Sequence, residues 1–212
     1  MGYAVAALTN DDAATQEVEG EKGLTLPVPL STPAVPLSPA ERLAMLALVR
    51  ETLEQFLKTE TFPPFQPSSD GLRQKRGVFV TLRRGEVLRG CMGSLVGTRP
   101  LYLELERVAV TAATQDPRFP PVRAEELPGL HVEITALGPL EPVADVSTIE
   151  IGIHGLFIVK DGQQGALLPQ VASDRGWDRD EFLVQVCRKA GLPPDAWPTA
   201  ELYRFTAEVF EE

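Results

Sequence analysis

Apolar residues recur with a helical period in three stretches of this chain. Residues 38–41 (SPAE) form a capping box with proline at the first helical position, a typical helix start. Apolar residues then follow at intervals of three and four, and this spacing predicts a helix over 39–58; they are Leu43, Leu46, Val49, Leu53, Phe56 and Leu57. A second helical stretch opens at Pro100, and a third follows another capping box at 178–181.

Other stretches alternate apolar and polar residues, which predicts strands. The predicted strands are 77–82 and 87–90 around a turn at 83–86, 156–160 and 166–168 around a turn at 161–165, and the single strands 130–137 and 203–210. Most of these strands pair as hairpins, and they do not alternate regularly with helices. The pattern therefore favours an α+β fold in which a largely antiparallel sheet packs against about three longer helices.

Residues 1–37 differ from the rest of the chain. Their charged residues are mostly acidic between Asp11 and Glu21, and prolines follow at positions 27, 29, 33 and 36. Repeated proline removes backbone donors and favours extended chain. We expect an acidic, proline-rich arm over 1–37, with one extended strand near 24–30, attached to a folded domain over 38–212. A disordered tail without function is the alternative reading of this composition.

The formal charge of −10 over 212 residues disfavours broad binding to nucleic acid, because an acidic surface repels phosphate backbones. A basic cluster keeps a nucleic-acid role as the weakest hypothesis; it contains Arg73, Lys75, Arg76, Arg83, Arg84 and Arg89. The two cysteines lie far apart in sequence, which indicates reduced thiols and a cytoplasmic protein. No apolar run approaches the roughly 20 residues of a membrane helix, so we expect no membrane association.

The segment 88–95, LRGCMGSL, places Cys91 between Gly90 and Gly93, directly after Arg89, where the return strand is predicted to end in a loop. Glycine permits close approach by another group, and a neighbouring arginine favours the thiolate. Cys91 is therefore a candidate catalytic thiol, with Arg89, the two glycines and Ser94 as candidate substrate-binding residues. Neighbouring residues on a strand point to opposite faces, so help from Arg89 requires a bulge or turn. The alternative is a buried thiol that fills a small space.

Four other residues are candidates on weaker grounds. Asp116 and Arg118 flank Pro117 and are either a pocket wall offering Arg118 to an anionic substrate, or a brace within their own loop with Phe119 anchored in the core. His154 is a candidate base toward Cys91, or simply a hydrogen-bonded histidine at a strand edge. Gln170 is a candidate hydrogen-bonding group for a ligand amide or for a loop backbone.

A metal site is not predicted. The cysteines and histidines, Cys91, His131, His154 and Cys187, lack the close pairing that structural zinc sites use. The chain also has no glycine-rich phosphate or dinucleotide motif, so we predict no cofactor.

The segment LRGCMGSL resembles the LRGCIG-type signature of the AMMECR domain family, with Met92 where isoleucine is more usual. Further matching segments follow in the family's order: DPRFPPV at 116–122, LPGLHVEITAL at 127–137, IGIHGLFI at 151–158, LLPQVA at 167–172, CRKAGLP at 187–193 and LYRFTAEVF at 202–210. The resemblance covers about residues 38–210, and the arm is longer than the family pattern requires. It implies an α+β fold with a larger part and a smaller lobe, and a cleft formed by the cysteine motif, the DPRFPP loop and LLPQ.

The biochemical role of that family is not settled. Its microbial members are similar to the first protein of a three-part set that includes a Memo-like protein and a radical S-adenosylmethionine protein. The resemblance thus implies chemistry or assembly shared with those two partners and assigns no reaction. The glycine-flanked cysteine itself motivates the hypothesis of an enzyme or enzyme component that uses a cleft around Cys91, in which Arg89 and Arg118 orient an anionic small molecule. The alternative is a non-catalytic protein-binding or adaptor module in which Cys91 is structural.

Overall fold

The computed structural model describes residues 36–212. Apart from its last two residues, the arm expected over 1–37 lies outside the described residues, and so does the strand expected near 24–30. The described residues divide into two compact units. The first unit contains 36–137 and 208–212, and the second contains 138–207.

The first unit is a four-stranded sheet with two helices. Its elements are α1 (Pro39–Thr59), β1 (Val78–Arg84), β2 (Val87–Ser94), α2 (Leu101–Thr114), β3 (His131–Leu137) and β8 (Ala207–Glu211). The strand order is β2-β1-β3-β8, and β1 pairs antiparallel with both β2 and β3. Short 3-10 helices occupy Gly71–Arg73 and Ala124–Gly129.

Helix α1 begins where the sequence predicts it, because its first turn is capped twice. The Ser38 hydroxyl accepts a hydrogen bond from the Glu41 amide, and the Glu41 carboxylate accepts one from the Ser38 amide at 2.7 Å. The predicted helix over 39–58 is confirmed by α1.

The strands of the first unit bury one face against both helices. Alternate residues of β1 and β3, among them Val80, Leu82, Val132 and Ile134, join the core formed with α1 and α2. The intervening residues, including Thr81, point to the opposite face. The alternation predicted for 130–137 is confirmed.

The prediction that the cysteine segment forms a loop is wrong. Strand β2 continues through Cys91 to Ser94, and neither Gly90 nor Gly93 has a positive φ. The glycines mark close packing instead of a turn. A Cβ at Gly90 would lie 2.1 Å from the carbonyl oxygen of Ala112 in α2, and one at Gly93 would lie 2.1 Å from the ring of Phe79.

The second unit is another four-stranded sheet, packed with α4. Its elements are β4 (Glu141–Pro142), β5 (Gly155–Lys160), β6 (Gln163–Leu167), α3 (Pro169–Arg175), α4 (Arg179–Lys189) and β7 (Glu201–Phe205), and its strand order is β4-β7-β5-β6. The buried core includes Phe182 and Val186 of α4 against Leu156 and Ile158 of β5. The helix predicted after 178–181 is confirmed, with Asp178 accepting a hydrogen bond from the Glu181 amide.

Two strand predictions in this region are wrong in detail. The turn between β5 and β6 has two residues, Asp161 and Gly162, both with positive φ, instead of the five predicted over 161–165. The predicted strand 203–210 is two strands, because β7 belongs to the sheet of the second unit and β8 to that of the first. Continuous alternation along a sequence does not reveal a change of sheet.

The predicted α+β class with antiparallel sheets is confirmed by these two units. Within residues 36–212, no helix is both long enough and apolar enough to cross a membrane.

Replacing Gly90 by alanine tests the close packing of β2 on α2. We expect Gly90→Ala to lower the free energy of unfolding by about 2–3 kcal/mol, because the new methyl group must displace the α2 backbone. Urea unfolding followed by circular dichroism measures the change. Gly129→Ala is the matched control, since its Cβ would meet only the Arg84 side chain at 3.8 Å. Equal stability of the two variants would contradict the packing argument.

Candidate functional site

Cys91 lies in the interior of strand β2, directly opposite Thr81 of β1. Its sulfur is 3.2 Å from the Thr81 hydroxyl oxygen, and the residue is 1% exposed. Both side chains lie on the sheet face opposite the helices. The thiol is thus buried beside a hydroxyl, whereas the sequence interpretation placed it in a glycine-lined loop.

The backbone of Cys91 is held by two side chains from the segment after α2. Its amide donates to Oδ2 of Asp116 at 2.8 Å, and its carbonyl accepts from Nη2 of Arg118 at 3.2 Å. Strand β2 lies at one end of the strand order of its sheet, so these two backbone groups point away from β1. Asp116 and Arg118 therefore satisfy the groups that a further strand would otherwise bind.

Asp116 and Arg118 also bind each other in a bidentate ion pair. Arg118 donates to the Asp116 carboxylate from Nε at 2.9 Å and from Nη2 at 2.7 Å. Burial opposes ionisation of Asp116, but hydrogen bonds from Arg118 and from the Cys91 amide outweigh it and lower the pKa of the carboxyl group. The same pair raises the pKa of Arg118.

The segment around this pair braces itself, as one of the two sequence interpretations predicts. The Arg118 amide donates to Asp116 Oδ1 at 3.1 Å, and its guanidinium lies 5.3 Å from the centre of the Phe119 ring. Phe119 stays half-buried and outside the core cluster, so the expectation that it anchors in the core is wrong.

Arg89 sits at a bulge, the irregularity that its predicted role required. Leu82 faces Gly90 while Arg83 faces Leu88, which leaves Arg89 as the extra residue of β2. Its guanidinium does not assist the Cys91 thiol but binds the carboxylate of Glu126, to which Nε and Nη2 donate at 2.8 and 2.9 Å.

Two backbone carbonyls complete the surroundings of Arg89. Its Nη1 donates to the Pro120 carbonyl at 2.7 Å, and its Nη2 to the Pro121 carbonyl at 3.2 Å. The hydrogen bonds from Arg89, followed by the one from the Arg123 amide, lower the pKa of Glu126 to about 2. Arg89 therefore fixes the proline-rich segment against β2.

A groove of about 720 Å³ opens beside this ion pair within the first unit. Its lining consists of Arg89, Pro120, Pro121, Arg123, Glu125 and Glu126. Arg123 makes no ion pair with another residue of the described range 36–212, and its side chain is exposed. Arg89 comes from the cysteine motif and Pro120 and Pro121 from the DPRFPP loop, two of the three segments from which the family resemblance implied a cleft. The sequence interpretation did not name Arg123, Glu125 or Glu126.

The remaining predicted site residues occupy other positions. Ser94 donates its hydroxyl to the Val96 carbonyl at 2.8 Å. His154 and Gln170 belong to the second unit, where His154 Nδ1 accepts the Glu150 amide at 3.0 Å. Burial, followed by the charge of Arg204, lowers the pKa of His154. The roles predicted for His154 and Gln170 beside Cys91 stay predictions.

The structure thus brings Cys91, Asp116 and Arg118 together, with Arg89 bracing the segment that carries the last two. Sequence reasoning missed Thr81 and Glu126. Thr81 could have been found from the β1–β2 register, whereas Glu126 lies in a short 3-10 helix without a recognisable motif. Among residues 36–212, no group of three potential ligands from His, Cys, Asp and Glu is arranged to hold a metal ion.

Removing the Asp116 carboxylate tests its hold on β2. We expect Asp116→Ala to lower the free energy of unfolding by about 3 kcal/mol, because it leaves the buried Cys91 amide and the Arg118 guanidinium without their acceptor. Asp116→Asn keeps a side-chain oxygen for the amide, so we expect a smaller loss. Chemical denaturation measures both variants. An alanine variant as stable as the asparagine variant would rule out a role for the amide hydrogen bond.

Acid titration tests the Arg89–Glu126 pair. The pKa of Glu126 falls from its ordinary 4.5 to about 2 on folding, so its stabilisation is complete above pH 4.5 and is lost as the pH falls towards 2. Because the side chain is 21% exposed, solvent screening limits this contribution to about 1–2 kcal/mol. Glu126→Gln should remove that part of the pH dependence of unfolding, while Glu125→Gln, the neighbouring control, should retain it. Parallel acid profiles for the native protein and Glu126→Gln would contradict this account.

This chain is similar to known proteins over most of its length. A model of the AMMECR1 family matches residues 46–210. A protein of Methanothermobacter thermautotrophicus is 44% identical over 188 residues, which cover 84% of this chain and 97% of that protein. A protein of Methanopyrus kandleri is 46% identical over 182 residues, which cover 81% of this chain and 86% of that protein.

The similarity extends to a solved structure. The crystal structure of an uncharacterised protein from Pyrococcus horikoshii matches with a TM-score of 0.72 at 41% identity, and the match covers 80% of this chain and 90% of that one. The family match includes Cys91, Asp116, Arg118 and the groove residues. The chain therefore belongs to the AMMECR1 family, as the sequence motifs indicated.

Proposed function

We propose that this protein is a non-catalytic protein-binding module in which Cys91 is structural. The observation that carries the proposal is the environment of Cys91. Its sulfur is buried against Thr81, and its outward backbone groups are bound by Asp116 and Arg118. A catalytic thiol has to present its thiolate to a substrate, and reactive cysteines are at least partly accessible. Cys91 is only 1% exposed, so its thiol fills space in the protein interior and is not presented to a substrate.

The binding surface in this proposal is the groove together with the segment that forms its wall. Pro120 and Pro121 restrict the backbone, and Arg89 binds both of their carbonyls while pairing with Glu126. A surface held in this way loses little conformational entropy when a partner docks. Arg123 and Glu125 supply charged groups for recognition at the rim.

The partners proposed for this surface are a Memo-like protein and a radical S-adenosylmethionine protein. This part of the proposal rests on the family resemblance of the motif segments. The wall segment 116–122 is one of those motifs, so its rigidity is consistent with a shared docking surface.

An enzyme component that uses Cys91 is the second candidate. The observation that favours it is the position of Arg118, whose guanidinium donates to the Cys91 carbonyl. The hydrogen bond to Asp116 is the main cause that raises the pKa of Arg118, and Cys91 contributes least. A guanidinium so placed would favour a thiolate and could hold an anionic small molecule.

Partner capture tests the binding module. Purified Memo-like and radical S-adenosylmethionine proteins from the same genome are used as probes in calorimetric titrations. We expect Arg123→Glu to weaken binding by about tenfold or more, because it reverses a charge at the groove rim. Arg99→Glu makes the same charge change at an exposed position outside the groove lining, and it should bind like the native protein. Equal affinity of the native protein and both variants, or no binding of either probe, would refute this surface.

The two candidates differ in what they predict for Cys91. If the thiol is structural, Cys91→Ser should lower stability by about 1–3 kcal/mol, because a more polar group is buried, yet leave partner affinity unchanged. Native Cys91 should then react with iodoacetamide more slowly than a free cysteine at every pH at which the protein stays folded. Reaction faster than free cysteine near neutral pH would favour the enzymatic candidate.

A further inference from the structure

The charged side chains of the groove lining divide into two pairs that differ in how they are satisfied. Arg89 and Glu126 bind each other through two hydrogen bonds at 2.8 and 2.9 Å. Arg123 and Glu125 are exposed, and neither forms an ion pair with any residue of the described range. Within that range, the lining therefore carries one unpaired positive and one unpaired negative charge, two residues apart in the chain.

The two prolines of the lining offer little to the backbone of a partner. Pro120 and Pro121 have no amide hydrogen to donate, and their carbonyls already accept from Arg89 at 2.7 and 3.2 Å. Both residues are exposed, so their rings are available for apolar contact. A partner at this wall therefore has to bind through its side chains, because an added strand would find few free backbone groups.

Docking at the groove removes water from the two unpaired charges. A charge that loses its water is strongly destabilising unless an opposite charge replaces that water. Arg89 and Glu126 already neutralise each other and require no charge from a partner. Arg123 requires an acceptor such as a carboxylate, and Glu125 requires a donor such as an ammonium or guanidinium group.

We propose that the groove binds a segment of the partner protein that carries both charges: a carboxylate that binds Arg123 and a cationic side chain that binds Glu125. An apolar side chain of the same segment packs on the rings of Pro120 and Pro121. This inference rests on the proposed function, because it describes the partner of the same groove. A purely acidic segment fits less well, since it would place a like charge opposite Glu125.

The direction of the effect at Glu125 tests the proposal. The purified Memo-like and radical S-adenosylmethionine proteins are titrated calorimetrically into the full-length protein and its Glu125→Lys variant. We expect Glu125→Lys to weaken partner binding by about tenfold, because it places a positive charge opposite the cationic group of the partner. Glu51→Lys makes the same change at an exposed position outside the groove lining, and it should bind like the native protein. Unchanged binding by Glu125→Lys would overturn the proposal, and tighter binding would replace it with a purely acidic segment.

Exchanging the two charges separates their positions from the net charge. Arg123→Glu combined with Glu125→Lys retains the net charge of the native protein but places each charge opposite a like charge of the partner. We expect the double variant to bind about tenfold more weakly or worse. Native affinity in the double variant would show that only net charge matters, and it would contradict the proposal.

Carbodiimide cross-linking identifies the group that faces Arg123. The reagent joins a carboxylate and a lysine amine as an amide, and it takes up the released water to become a urea. Arg123→Lys keeps the positive charge and supplies the amine, so we expect it to join an Asp or Glu of the partner, as identified by mass spectrometry. Arg99→Lys, outside the groove lining, should form no such product. A complex in which Arg123→Lys joins no carboxylate of the partner would refute the proposal.

The outcomes at Arg123 and Glu125 distinguish failure of this inference from failure of the proposed function. If Arg123→Glu weakens partner binding while Glu125→Lys does not, the groove is a docking surface and only the two-charge segment is wrong. If Arg123→Glu has no effect, or if neither probe binds, the proposed function and this inference are both wrong.

Discussion

The hold of Asp116 and Arg118 on the backbone of Cys91 is the contact on which the geometry of the candidate site depends. The carboxylate accepts the outward amide of β2, and the guanidinium donates to the outward carbonyl of the same residue. The two side chains also neutralise each other, so neither charge is buried alone. One ion pair thus closes a sheet edge and fixes the segment that follows α2.

Comparable ion pairs join sequence-distant parts of the first unit. Glu208 binds both Arg42 of α1 and Arg76, and Arg76 also donates to the Leu137 carbonyl. Arg50 of α1 binds the Glu212 carboxylate and the Leu127 and Leu130 carbonyls. These contacts anchor the last residues of the chain to α1 and β3. Because each arginine satisfies several acceptors at once, a single substitution here would disturb more than one element.

The proposed function assigns a task to the outer strand β2 of this sheet. Beside β2, the Arg89–Glu126 pair and two prolines hold a groove in a fixed shape for a partner protein. Glycine residues in β2, which the sequence interpretation associated with a reactive loop, allow the strand to contact α2 and Phe79 closely. Close packing therefore explains the two glycines beside Cys91 without a catalytic role for the thiol.

The sequence determined the elements whose causes are local. The capping box at Ser38, the N-cap at Asp178, the alternation over β3 and the pairing of strands as hairpins all depend on neighbouring residues, and these predictions were confirmed. Only the reciprocal half of the capping box predicted at 178–181 is not formed, because the Glu181 carboxylate accepts from Gln185 instead. The motif segments also identified the family. The cysteine segment was misjudged because glycine looks the same in a turn and at a close contact, and only the position of Ala112 distinguishes them.

Only the tertiary structure decided the partners of the candidate side chains. Arg89 precedes Cys91 in sequence, yet its guanidinium binds Glu126, 37 residues away, because a bulge sets its direction. The split of 203–210 between two sheets likewise depends on long-range pairing. Side-chain hydrogen bonds between distant segments leave no periodic trace in a sequence, whereas helix caps and strand alternation do.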